Sequence, residues 1–574
     1  MRPNLSRLLV VVLLSGLIAA CTREPEVPTD DLLQHVPADT PYVFVTSREL
    51  PDKLRARLAD HYAAQLAAQG PVFARLRADM EASEETAPMA LRTQRLFDVM
   101  HALFAEFEGR DTAAKLRELG IDPVTRSVIY GIGVLPAARA QILDAAKFDA
   151  MLARIERRAG VSASQGELNG QTYRRIDLGV VDAVLAVTEG HAIAGLLPDS
   201  LFDRDLGLLL GQRQPEHSLA QTDDIVRLIE RYGFTGYGEG YLRIDELVAI
   251  LLGRGDGRNA EVMQALGSQA VPVSPGCMRM TEQLVSGMPR MVIGVTAADE
   301  QKMALRAVWE STAPVAARLQ KLAAPVPGLG GPYDGLVALG VGLDLPQLRN
   351  ATEALLNEVM AAGSDCEWVD PASLQAVIPQ LNLALGPMTA GIKGFNVQLA
   401  DIDFDPQTMA PTRVEAGLLA AVDDPRGVFA LGAMFNPELA NVQVPGDGSF
   451  VELPQTPGLD GQAPPVKVAI RDKALLLVTG KGEGVAQTLL DAVVATPSPL
   501  LAIDYGVFRL VQRFGDIMDN AVAQLTGQGE IELAAELREQ VDAFRLQAAM
   551  FNRLRMSMYA SADGLVIDQV MELR

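Results

Sequence analysis

Apolar and polar positions along the chain follow two periods, and the two periods separate strands from helices. Apolar residues at helical spacing predict helices over Leu54–Gln69, Ala90–Phe107, Lys147–Arg158 and Pro425–Phe435. Two longer amphipathic stretches, Val507–Leu525 and Glu530–Ala548, flank Thr526-Gly-Gln-Gly529 and predict a helical hairpin. Apolar runs predict strands at Ser127–Leu135, Arg139–Leu143, Gly394–Phe404 and Thr412–Val422. Hairpins are expected where Gln171–Leu178 meets Val180–Leu197, and where Ser449–Leu453 meets Val466–Thr479. Alternation within Arg413–Val422 is partial, so these strands should have one well-buried face and one partly covered. Hairpin-linked strands with helices between the groups predict an α+β fold with largely antiparallel sheets.

The pattern also repeats. Tyr42–Pro51 (YVFVTSRELP) matches Val337–Pro346 (VALGVGLDLP), a strand-like run before Leu-Pro. Ala183–Ile193 matches Val466–Leu476, two apolar runs around an acidic turn at Glu189 or Asp472. Tyr241–Val248 (YLRIDELV) matches Leu500–Val507 (LLAIDYGV), and Val292–Asp299 matches Met556–Asp563. The matches are collinear, which predicts two divergent tandem-repeat halves, residues 37–322 and 334–574. Residues 323–333 (AAPVPGLGGPY) read as a Pro/Gly linker between them. In the first half, Gly253-Arg-Gly-Asp-Gly257 interrupts the counterpart of the helical hairpin.

The N-terminal region has a different character. Arg2 and Arg7 precede Leu8–Ala20 (LLVVVLLSGLIAA), which has no charge and suits a signal-peptide core better than a span. The run ends Leu17-Ile18-Ala19-Ala20-Cys21, which resembles the lipobox of bacterial lipoproteins. That resemblance implies cleavage of residues 1–20 and diacylglycerol on the Cys21 thiol. Residues 21–36 would then be the lipidated cysteine and a polar, proline-containing tether. Thr22, rather than an aspartate, follows the cysteine and points to the outer membrane. No later window reaches eighteen uncharged apolar residues, so the expected body faces the periplasm.

Charge narrows the partners. Among 574 residues, Lys+Arg 50 against Asp+Glu 72 gives −22, a surface that repels nucleic acid. Removing Arg2 and Arg7 with the leader would bring it to −24. Besides Cys21 the chain has Cys277 and Cys366, and an oxidising compartment favours a disulfide between them over two free thiols.

Local chemistry is sparse. Gly480-Lys-Gly-Glu-Gly484 sits between a strand and a helix, but its spacing fits neither nucleotide-binding glycine motif. Asp401, Asp403 and Asp405 imitate the start of a calcium loop, yet Pro406 and Thr412 stand where glycine and a bidentate acid are needed. His35, His61, His101, His191 and His217 are scattered, and no metal or cofactor site is expected. Glu84-Glu85 reads as solvated surface. Trp309 and Trp368 are the only tryptophans, which weakens a sugar-binding reading, while twenty methionines fit core packing or adaptable apolar surfaces.

After the tether, Val36-Pro37-Ala38-Asp39-Thr40-Pro41-Tyr42 resembles the P-A-D-T start of a bacterial family of uncharacterised envelope proteins. The closing run Gly564–Ile567 is similar to that family's C-terminal end. The resemblance implies a strand directly after the motif and an envelope address. It brings no activity and no catalytic residues. The sequence therefore predicts a non-enzymatic, membrane-anchored binding or scaffolding lipoprotein, whose partner is an envelope protein or a hydrophobic ligand. Two alternatives stay open, a carrier of lipid or another hydrophobic ligand and a hydrolase with a dispersed site.

Overall fold

A computed structural model describes residues 31–574 except 83–89, 189, 268–272, 363–364, 387–388, 390, 406–410, 455–464 and 481. Cys21, the leader, Glu84 and Glu85 lie outside the described residues. The fold is α+β with antiparallel strand pairing, and the chain forms two compact units. One takes residues up to Val273 and Arg290–Arg306; the other takes Ser274–Pro289 and Ala307–Arg574.

In the first unit β1 (Tyr42–Thr46) leads into α1 (Asp52–Ala82), α2 (Ala90–Phe107) and α3 (Ala113–Arg117). Strands β2 (Ser127–Ile132) and β3 (Leu135–Gln141) precede α4 (Ala145–Ala159). Four strands follow: β4 (Ser164–Leu168), β5 (Gln171–Asp177), β6 (Val181–Thr188) and β7 (His191–Pro198). Then come α5 (Phe202–Leu209), α6 (Asp224–Tyr232), β8 (Glu239–Arg243), α7 (Ile244–Leu251) and α8 (Gly257–Ala265). Strand β9 (Arg290–Ala298) follows, and the division between the units falls within β10 (Lys302–Glu310), after Arg306. The sheet runs β4-β5-β6-β7-β3-β2-β1-β8-β9-β10.

Local signals fix these elements. In α4, Asp144 accepts from the Lys147 N–H at the start and Gly160 adopts the left-handed conformation at the end. The buried stripe Met151, Leu152 and Ile155 of α4 packs with Ala63, Ala102, Leu116 and Leu119 from the preceding helices and the turn after α3. The Thr40 hydroxyl, fully buried, accepts from the Gly131 N–H at 2.9 Å and lies 3.0 Å from its carbonyl, tying the P-A-D-T motif to β2.

The second unit contains α9 (Pro275–Gly287), α10 (Ala313–Leu322), β11 (Val337–Gly342), α11 (Leu345–Ala362) and α12 (Pro371–Ala384). Long strands β12 (Ile392–Phe404) and β13 (Pro411–Val422) precede α13 (Pro425–Phe435), β14 (Val451–Glu452), β15 (Val466–Arg471), β16 (Ala474–Thr479) and α14 (Glu483–Asp491). Strand β17 (Leu501–Tyr505), the hairpin α15 (Val507–Gln528) and α16 (Ile531–Met550), then β18 (Phe551–Ala560) and β19 (Gly564–Leu573) complete it. Its sheet runs β14-β15-β16-β13-β12-β11-β17-β18-β19. Counted from its own first strand, each unit follows the same order, with β4 as an additional edge strand in the first.

Three expectations need correction. The Pro/Gly stretch 323–333 is not a free linker: Val326 and Leu329 are buried in the core with Leu419, Leu476 and Leu489. Glycines let this stretch turn tightly, and a Cβ on Gly330 would stand 2.8 Å from Pro499. The division between units falls at Arg306 and Ala307, ahead of that stretch, and α9 belongs to the second unit although it lies within the first half of the sequence. Finally, the shared Ile-Asp is not equivalent. Asp504 lies in β17, whereas Asp245 lies in the first turn of α7.

Candidate functional site

The second unit carries a polar cavity of about 400 Å³. It forms where β17 ends, β18 begins, β19 ends, and residues 332–334 approach β11. Its chemistry comes from Tyr333, Asp334, Arg509, Arg553, Arg555 and Glu572. Antiparallel register sets Asp504 of β17 directly opposite Arg555 of β18, an opposite-charge cross-strand pair. The Arg555 Nε donates to Asp504 at 3.0 Å, and its terminal nitrogen lies 2.8 Å from Glu572.

Arg553 is the deepest charge, with 4% of its side chain exposed. It donates to the other oxygen of Asp504 and, at 2.6 Å, to the Gly335 carbonyl. A charge this buried needs both partners, because each one offsets part of its lost hydration. Arg509 donates to the Asp334 carbonyl and lies 3.4 Å from its carboxylate. The Tyr333 hydroxyl is buried with no hydrogen-bond partner among the described residues, and burial pushes its pKa well above the usual phenol value. Its position depends on Gly335, where a Cβ would lie 2.2 Å from the hydroxyl oxygen.

Three arginines thus face Asp334, Asp504 and Glu572, and each of these carboxylates is engaged by arginine. Among the described residues, no serine, cysteine or histidine lines the cavity. The arrangement suits recognition of a small polar group through Tyr333 and arginine N–H donors.

The residues singled out in the sequence occupy other places. Cys277 and Cys366 are joined in a disulfide within the second unit, with Cα atoms 4.4 Å apart. Around it, Arg279 pairs with Asp365 at 2.9 Å, and a Cβ on Gly276 would collide with that carboxylate. Asp401 and Asp403 face Arg413 and Arg513 at 2.6 to 2.9 Å, so two arginines occupy the space a cation would need. Glycines 480 and 482 serve close backbone approach: a Cβ on either would stand under 2.5 Å from the carbonyl of Val414 or Ala416 on β13. No group of metal-binding side chains occurs among the described residues.

In the first unit, His35 and buried Arg139 crowd Gly211, where a Cβ would meet Arg139 at 2.6 Å and His35 at 2.9 Å. Burial, with Arg139 and His191 nearby, pulls the His35 pKa down to about 4. The Arg553 cavity is not legible from local motifs, because its members become neighbours only through β17–β18–β19 register.

No protein-family model matches the chain, and no curated protein matches it. Among solved structures, crystal form III of TP0453 aligns over 51% of this chain and 86% of its own, at 11% identity and a TM-score of 0.22. A likeness that slight carries no argument about fold or function.

Proposed function

We propose that the protein is a lipid-anchored, periplasm-facing lipoprotein of the outer membrane, with a non-enzymatic binding or scaffolding role in the cell envelope. The observation that carries this reading is the N-terminal sequence: a basic start, the uncharged run Leu8–Ala20, and small residues before Cys21. The P-A-D-T resemblance supports the same address. Two divergent halves descended from a tandem duplication would account for the shared strand order. In support, all four matched sequence pairs fall on strands of equal rank: β1 with β11, β6–β7 with β15–β16, β8 with β17, and β9 with β18.

A binding role is supported by the charged cavity, where arginines engage Asp334, Asp504 and Glu572 around the buried Tyr333 hydroxyl. A cavity lined this way also suits a hydrophobic cargo poorly. The test is native mass spectrometry of full-length protein gently extracted from its own envelope. The expected species is the anchored chain alone or joined to another polypeptide. A retained lipid-sized mass beyond the anchor would overturn scaffolding in favour of a carrier.

A further inference from the structure

Strand β3 puts a cation where its neighbours put hydrocarbon. Along Leu135–Gln141 every second residue turns to the same side of the sheet, and Arg139 shares the buried side with Ala137. Its register partners, Val128 of β2 and Ile193 of β7, are fully buried and offer no side-chain acceptor, and Arg139 itself is only 6% exposed. The guanidinium makes one long hydrogen bond, from Nη2 to the Leu209 carbonyl at 3.4 Å. Its Nε is buried with no partner among the described residues. Asp31, whose charge reaches Arg139, is engaged by Arg126 at 2.7 Å. The Leu209 carbonyl ends α5, and a helix C-terminus supplies about half a negative charge, short of what a full cation loses on leaving water. Arg553, buried to a similar degree in the second unit, holds a carboxylate and a carbonyl; Arg139 holds no carboxylate among the described residues.

His35 brings a second orphaned donor. Gln214 donates to the Gln34 amide oxygen at 3.4 Å, which leaves the Gln34 amide nitrogen facing His35 Nε2 at 3.5 Å. An amide nitrogen only donates, so Nε2 of the neutral ring accepts and the proton sits on Nδ1. That Nδ1 is buried and has no partner among the described residues. Gly211 lets the two donors converge: from the point its Cβ would occupy, Arg139 Nη2 lies at 2.6 Å and His35 Nδ1 at 2.9 Å. Its φ of +77° also favours glycine. Nε and Nη2 share one edge of the guanidinium, the fork that meets two oxygens of a single oxyanion.

From this we infer that Arg139 and His35 form an anion site in the first unit that takes one tetrahedral phosphate group. The Arg139 edge meets two of its oxygens and the His35 Nδ1–H meets a third. A carboxylate has no third oxygen, and a halide is a single acceptor for all the donors. The bound group supplies the counter-charge that the fold withholds from Arg139. Inorganic phosphate and a phosphate monoester present the same three oxygens, and the test separates them. The site depends neither on the Arg553 cavity nor on the Cys21 anchor.

The test is calorimetric titration of the full chain in phosphate- and sulfate-free buffer, with inorganic phosphate, glycerol 3-phosphate, acetate and chloride at matched ionic strength. Phosphate should bind at a single site, and acetate and chloride about tenfold or more weakly. Glycerol 3-phosphate binding as tightly as phosphate would support the site with a monoester as its ligand; binding of phosphate alone would support it with the free ion. Arg139→Met should abolish binding. By removing an uncompensated charge it should also raise the melting temperature without phosphate and cancel the further rise that phosphate gives the wild type. His35→Phe keeps a ring but deletes one donor, and should weaken binding by about tenfold. Hydrogen exchange should show phosphate protecting β3 and β7. Absence of saturable phosphate binding would overturn the site and leave water as the partner of Arg139. Binding that survives both substitutions unchanged would overturn it too, as would stabilisation that chloride reproduces at equal ionic strength.

Discussion

Thr40 holds the P-A-D-T motif through one fully buried hydroxyl, which accepts from the Gly131 N–H and donates to a backbone carbonyl, that of Tyr42 at 2.8 Å or of Gly131 at 3.0 Å. Thr40→Val keeps the shape and strands both backbone groups, so it should cost about 1–3 kcal/mol in denaturant unfolding. Removing one member of a buried ion pair costs more. Arg553→Met leaves Asp504 with Arg555 as its one remaining guanidinium and should destabilise the second unit toward the lower end of the roughly 3–5 kcal/mol that breaking a buried ion pair costs, while pairing it with Asp504→Leu should recover part of the loss. His35 gives an acid-dependent term. Folded, it resists protonation down to about pH 4, whereas unfolded it protonates near 6.5. The unfolded state therefore binds more protons between those values, and stability falls as pH drops from about 6.5 to 4. Partial exposure limits the effect to about 1–2 kcal/mol, and His35→Asn should flatten that part of the stability–pH curve. None of these three environments could be read from the residues alone, since each depends on a partner far away in sequence.

At the level of elements, much was legible. Helix α13 coincides with Pro425–Phe435 because Asp424, Pro425 and the apolar period all mark it. The hairpin β15–β16 follows from two apolar runs around Asp472, which adopts a positive φ at the turn. Strand β10 was missed because Lys302–Glu310 mixes charged and apolar residues. The uncharged run after Asp370 was visible in the sequence, but its exposure was not; an apolar helix reads equally well as core. The disulfide between Cys277 and Cys366 closes a sequence separation of 89 and fastens α9 to the segment before α12. Replacing both cysteines by serine should cost about 2–4 kcal/mol. Hydrogen exchange should localise the loss to α9 and residues 365–370 and leave β1, β2 and β8 protected.

On the scale of the whole molecule, each compact unit has its own core, and the strands of the two units follow one order. Composition and periodicity led to the α+β class. The sequence did not reveal that α9 joins the second unit or that residues 323–333 are packed, because both depend on contacts with distant residues. The charged cavity, the disulfide clasp and α12 all belong to the second unit. The central claim nevertheless rests on the N-terminal sequence, and fractionation of cells expressing the Cys21→Ser chain tests it most directly. The wild-type protein should sediment with outer membranes and carry diacylglycerol on its first residue. The variant should lose the lipid and move to the soluble periplasmic fraction. Membrane association that persists unchanged in the variant under conditions that strip weakly docked proteins would contradict anchoring through Cys21.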